Sequence, residues 1–204
     1  MRIGLASDTF GNVDGLVRAL ETFERAGAER IFFLGGRSAD LDQALARRRA
    51  GGGPRPLGSD LEFLAAVEGE LSRRPDPLAD RVVRVASRDC PARAAGAPGL
   101  AVDLLEGRIC CLVHDKAELT RDDIANASLL FHGNSERPGL VQIGPRCFVT
   151  PGHLRAPAPG RSPGTFALAE LAASELVLTT FSAEGVELGK QAVSLGGAGK
   201  VSVR

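Results

Sequence analysis

The chain has no tryptophan and no tyrosine, and aromatic residues make up only 4% of it. Stacking platforms for single-stranded nucleic acid are therefore poorly supplied. Neither charge is in excess, because 25 basic and 25 acidic side chains cancel. Nothing in that balance calls for nucleic acid or an anionic membrane surface as partner. No apolar run approaches the ~20 residues of a membrane span. The N-terminal stretch from Met1 to Asp8 turns acidic too soon for a secretory signal and reads as a first strand. Cysteine is also sparse. Cys90, Cys110, Cys111 and Cys147 include no CxxC pair, which removes zinc-ribbon and thioredoxin-type readings. Cys110 and Cys111 are adjacent in an apolar strand and should face opposite sides of it. Buried free thiols in a reducing cytoplasm are the expectation.

What is present is an ordinary globular composition of 204 residues, enough for one domain with a full core. Residues 1–195 are expected to form it, with 196–204 as a flexible tail. Arg2–Ser7 reads as a buried strand. Asn12 caps a helix carrying Val13, Leu16, Val17, Leu20 and Phe23 at helical spacing. Gly27 ends that helix, and Ile31–Leu34 follows as a strand, so the first two strands should be parallel. A helix is expected over Asp40–Arg49, with Arg47, Arg48 and Arg49 as its solvated cationic end. Gly51–Pro56 must be a loop. Ser59 and Glu62 suit the start of another helix. Strands are expected at Val82–Ala86, Leu100–Leu105, Arg108–Val113 and Leu129–Phe131, with a hairpin turn at Glu106-Gly107. Thr120 and Asp123 suit a capping box. From Leu140 onward the pattern is mostly β: Leu140–Ile143, Arg146–Val149, Thr165–Leu171, Glu175–Phe181 and Val186–Ser194. Residues 151–164, rich in Pro, Gly and Arg, read as an exposed loop. An early α/β half and a late β half suit a layered sandwich of two sheets flanked by helices.

Six segments in order carry a resemblance. Asp8-Thr9-Phe10-Gly11-Asn12 follows the first strand. Gly35-Gly36 follows the second. Ser87-Arg88-Asp89 follows Val85-Ala86. His114-Asp115 follows Leu112-Val113. Gly133-Asn134-Ser135-Glu136-Arg137-Pro138 and Thr150-Pro151-Gly152-His153 complete the series. Together they resemble the site loops of the calcineurin-like metallophosphoesterases, and most closely the compact bacterial phosphodiesterases of that family. The resemblance implies a four-layer α/β/β/α sandwich of two mixed sheets flanked by helices. It also implies a two-metal site, in which paired cations activate water and neutralise the reacting phosphate.

The ligand positions are where this chain departs from the family. The bridging Asp position holds Gly36, the opening-loop His position Phe10, and the Asn position Ser87, a poor ligand. The paired His positions hold Asn134 and Glu136. Arg88 stands where the family protonates its substrate, and it stays cationic at neutral pH. Loss of the bridge and most of both ligand shells implies a pseudoenzyme with no catalytic residues. The family includes a binding scaffold, the small retromer subunit, so a protein-interaction module with an unidentified protein partner is the first expectation. Two alternatives remain. One is a single-metal phosphoesterase holding one manganese or zinc ion on Asp8, His114 and Glu136, with His153 as a further candidate. The other is a metal-free sensor of a phosphate-bearing small molecule, with Arg88 and Arg137 as candidate anion ligands. The plainer reading of the histidines has His114 hydrogen-bonded to Asp8 or Asp89, and His132 packed beneath its loop.

Overall fold

The computed structural model describes residues 1–49, 77–86 and 98–195. Strand β1 (Arg2–Ala6) feeds helix α1 (Val13–Arg25), which returns to β2 (Arg30–Leu34). The register pairs Gly4 with Ile31 and Leu5 with Phe32, in parallel as expected. Asn12 starts α1 by accepting from the Gly15 amide at 3.0 Å, satisfying a donor the first helical turn leaves free. Gly27, at φ +68°, turns the chain out. The apolar stripe of α1 buries Leu16, Ala19, Leu20 and Phe23. Phe23 lies flat against Gly4, where a Cβ would come within 2.5 Å of its ring.

Helix α2 (Ser38–Arg49) packs beside α1. Its cationic end is less solvated than the sequence suggests. Arg47 Nη1 reaches Asp14 Oδ1 at 2.9 Å, and Arg48 Nη1 reaches Glu24 Oε2 at 2.6 Å. The two arginines clip α2 onto the face of α1. Strand β3 (Val82–Val85) pairs parallel to β2. The Gly51–Pro56 loop, the Ser59 helix, Ser87 to Cys90 and the 196–204 tail lie outside the described residues.

The second sheet starts with β4 (Leu100–Leu105) and β5 (Arg108–Val113). Glu106 and Gly107 both have positive φ, 48° and 74°, the requirement of a two-residue hairpin turn that matches strand twist. Helix α3 (Arg121–Asn126) opens on the expected capping box of Thr120 and Asp123. Then come β6 (Leu129–His132), β7 (Gly139–Ile143) and β8 (Arg146–Thr150). This sheet runs β4-β5-β6-β8-β7. The last three strands, β9 (Thr165–Leu171), β10 (Glu175–Ser182) and β11 (Glu187–Ser194), return to the first sheet. Its order is β11-β10-β9-β1-β2-β3, with β9 antiparallel to β1. The late β region is therefore divided between the two sheets, which local alternation could not indicate.

Strand residues alternate between two cores. Ile3, Leu5, Phe32, Leu34, Leu112, Phe131 and Val149 lie between the sheets. Ala6, Ile31 and Phe33 face α1 and α2, with Leu16, Leu20 and Leu41. Cys111, Leu130 and Ala127 form a third cluster beneath α3. The layers are thus helix, sheet, sheet, helix. Cys110 belongs to the intersheet core and Cys111 to the outer cluster, so the adjacent cysteines do face opposite ways. Burial pushes the Cys110 thiol up to about 12, which leaves it unreactive at neutral pH.

Candidate functional site

The C-terminal ends of β1, β2, β5 and β6 bring four of the motif loops together, and the loop after β8 joins them. Asp8 lies at the centre. Its Oδ1 meets His114 Nε2 at 3.0 Å, and its Oδ2 accepts from Ser7 Oγ at 3.0 Å and from the Asn134 amide at 3.1 Å. His153 Nε2 is 3.8 Å from the same Oδ2. Burial raises the Asp8 pKa, but the hydrogen bond and charge of His114, helped by Ser7, outweigh it and hold the carboxyl below its usual range. Burial likewise lowers His114, and Asp8 more than compensates, leaving the imidazole pKa raised. His132 Nδ1 meets its neighbour's carbonyl, Gly133 O, at 3.0 Å. Burial dominates there and lowers the pKa.

These shifts fix a pH dependence. A raised folded pKa at His114 stabilises the fold fully below about 6.5, the ordinary imidazole value, and that stability fades as pH climbs through the raised value. A lowered value at His132 has the opposite sign and costs stability as pH falls below about 6.5. The depressed Asp8 value adds a further loss in strong acid, as pH falls through its folded pKa. Unfolding free energy measured by denaturant titration should therefore peak near pH 6.5. His114→Gln should remove the alkaline decline, and His132→Gln the rise on the acid side. An alkaline decline that survives in His114→Gln would show that the Asp8–His114 pair is not its source.

Three glycines let these loops meet. A Cβ on Gly35 would overlap the His114 ring, with Cγ at 2.6 Å. One on Gly133 would collide with the Leu34 carbonyl oxygen and Ser7 Oγ. Gly36 has φ +87°, and a Cβ there would sit 3.2 Å from Asp8 Cα. The β2 loop is therefore a bare backbone surface on which His114 rests.

Asp40 holds the opening loop from the other side. Its carboxylate, 4% exposed as a residue, accepts from the Thr9 hydroxyl and from the Gly11 amide at 3.3 Å. Arg37 Nη2 reaches its Oδ1 at 3.0 Å. Between those two anchors Phe10 is forced to φ +50°, a region bulky residues avoid. Its side chain does not fill the cleft as the apolar replacement of a ligand would suggest. It is 57% exposed, packed edge-on to His153 at 5.0 Å and covered by the Arg155 guanidinium at 4.1 Å.

The remaining predicted site residues diverge. Asn134, at φ +43°, donates from Nδ2 to Asp115 Oδ2 at 2.8 Å. Glu136 and Arg137 are exposed, and Glu136 borders a cleft with His153, Arg155 and Arg161. Ser87, Arg88 and Asp89 lie outside the described residues. Among the described residues no group of three or more His, Cys, Asp or Glu side chains is placed to hold a metal ion. Ser7, Arg155 and Arg161 gave no signal in the sequence, and Asp40 gave little. Only the three-residue spacing of Arg37 and Asp40 at a helix start hinted at their pairing.

Neither protein-family models nor curated proteins match the chain. Solved structures do. A predicted phosphoesterase from Streptococcus pneumoniae aligns with a TM-score of 0.60 and 17% identity, over 95% of this chain and 97% of that one. The Escherichia coli phosphoesterase Yfce gives a TM-score of 0.58 and 21% identity, over 96% and 100%. Vps29 from Chaetomium thermophilum gives 0.58 and 14%, over 100% of both chains. The chain has the calcineurin-like phosphoesterase fold. Within that fold, Vps29 has been crystallised both with a cyclic peptide and, from Entamoeba histolytica, with zinc.

Proposed function

We propose that this chain keeps the calcineurin-like phosphoesterase sandwich as a protein-interaction or scaffold module, without a working binuclear metal centre. The observation that carries the proposal is the state of Asp8. Its two carboxylate oxygens face three donors of the protein itself, His114, Ser7 and the Asn134 amide. In the two-metal pattern the neighbouring bridge would come from the Gly36 position, which has no side chain. Removing ligands leaves the sheets intact, because the core lies between and outside them rather than in the site. The peptide-bound Vps29 structure shows that a protein of this fold can take up a peptide. Buried free thiols suit a reducing cytoplasm. Among the described residues no helix is long and apolar enough to cross a membrane.

Metal analysis of the purified protein, with phosphodiester and phosphomonoester assays in manganese, tests the catalytic half. The expected result is no stoichiometric metal and no turnover that Asp8→Ala abolishes. Turnover lost in both Asp8→Ala and His114→Ala would support the single-metal reading instead. The interaction half predicts one stoichiometric partner whose binding survives Asp8→Ala.

Restoring a carboxylate at the bridge position should not restore the centre. Gly36→Asp places a Cβ at a left-handed φ that costs roughly 1 kcal/mol or more, close to Asp8 Cα. A lower Tm with unchanged metal content is the expected result. Two manganese ions per chain in this variant would show that the missing bridge was the only defect.

A further inference from the structure

Strand β4 is an outer edge of its sheet, and among the described residues no strand pairs with its free side. The two-residue turn at Glu106-Gly107 makes Leu105 and Arg108 a hydrogen-bonded pair. Bonded pairs with β5 therefore recur at Asp103 and Ala101. The main-chain groups of Leu100, Val102 and Leu104 point outward instead. The Leu104 amide accordingly donates to its own neighbour, Asp103 Oδ1, at 2.9 Å. The side chains of the same three residues share the outer face of the sheet. Val102 is 61% exposed and Leu104 66%, and Ile109, opposite Leu104 on β5, is exposed beside them. Natural edges are usually blunted by charge, proline or a bulge. Across the sandwich, β11 carries Glu187 and Lys190, and its Gln191 Oε1 accepts from the Leu140 amide of β7 at 2.9 Å. β4 holds one charge, Asp103, which reaches Arg30 Nη2 at 3.5 Å.

We infer that β4 pairs antiparallel with β4 of a second copy of this chain, about a two-fold axis at Val102. The surface lies apart from the Asp8–His114 pair and does not depend on the scaffold reading. An isologous interface requires a patch that complements itself, and β4 does so in one register. A two-fold axis normal to the sheet sets outer face beside outer face. Centred on Asp103, it would put two carboxylates directly opposite each other, which is repulsive. Centred on Leu104, it would run Val102 against the partner's Glu106 in the hairpin turn. Centred on Val102, it sets Val102 against the partner's Val102, Leu104 against the partner's Leu100, and Asp103 against the partner's Ala101. Charge then meets a small neutral residue, and the two exposed apolar rows merge into one strip. About six main-chain hydrogen bonds form, two per bonded pair. The junction is smaller than the ~800 Å² per partner of a standard stable interface, so the dimer is reversible, with a Kd on the order of 10 μM.

Sedimentation equilibrium at concentrations bracketing that Kd tests this and should show monomer passing to dimer. Val102→Lys sets like charges opposite each other at the axis and should weaken association about tenfold or more. Val141→Lys, at an exposed position on the other edge strand β7, should leave it unchanged. Both positions are exposed, and thermal melts confirm that the variants fold. Oxidation checks the register. Val102→Cys should form a disulfide between copies, because directly opposed Cα atoms of a bonded pair lie about 5.5 Å apart. Leu104→Cys should not, because its two copies lie about 13 Å apart along the strands. Wild type oxidised in parallel controls for Cys90. A monomer at every concentration overturns the inference. So does a dimer that Val102→Lys leaves intact or Val141→Lys disrupts, or a disulfide in Leu104→Cys without one in Val102→Cys.

Discussion

Gly35→Ala is expected to destabilise the protein by about 3 kcal/mol or more, at the upper end of single-substitution effects. Two costs add at this position. The backbone is at φ +108°, outside the range L side chains favour, and the new methyl would overlap the His114 ring. Gly27→Ala supplies the comparison. Its φ is +68°, and a Cβ there meets nothing within 4 Å. It should cost only about 1 kcal/mol, the strain term alone. The difference between the variants in denaturant titration combines the contact with His114 and the greater backbone strain at φ +108°. If it vanished in a His114→Ala background, the overlap would be its source. Equal losses at both glycines would mean that the imidazole does not rest on the β2 loop.

The second large effect is expected at Asp40. Asp40→Ala leaves the Thr9 hydroxyl, the Gly11 amide and one face of Arg37 without their acceptor. The stranded Thr9 hydroxyl is buried and costs about 1–3 kcal/mol, whereas exposed Gly11 and Arg37, 70% exposed as a side chain, recover water instead. A loss of about 1–3 kcal/mol follows. Thr9→Val removes one donor and should lose less. The network also holds Phe10 in its left-handed conformation, so Asp40→Ala should release the opening loop. Faster amide exchange at Gly11 and Asn12, with β1 still protected, would report that release. A variant as stable as the wild type would show that Asp40 carries none of this load.

The elements of the fold were legible where a local rule controls them. Asn12, Gly27, the Glu106-Gly107 turn and the Thr120–Asp123 box each act over a few residues, and each stands where the sequence places it. Strand ends were less legible. β1 stops at Ala6 because Ser7 turns its hydroxyl to the Leu34 carbonyl oxygen at 3.2 Å and to Asp8. No neighbour in sequence announces that. The return of β9 to β1 is a contact across more than 160 residues, set by which faces remain unburied rather than by local pattern. At the site, the Asp8–His114 pair follows the motif order. The roles of Asp40, His153 and Arg155 depend on loops converging from β1, α2 and β8. Phe10 is the clearest case. Its left-handed backbone, set by the Asp40 anchors on either side, turns it outward beneath Arg155.

The most direct test of the missing binuclear centre is a crystal soaked in manganese, with anomalous difference density examined around Asp8. The expected result is no peak within ligand distance, and His114 Nε2 still about 3.0 Å from Asp8 Oδ1. Two peaks a few ångströms apart, with Asp8 turned away from His114 to bind one of them, would contradict the proposal that the protein keeps this fold for binding alone.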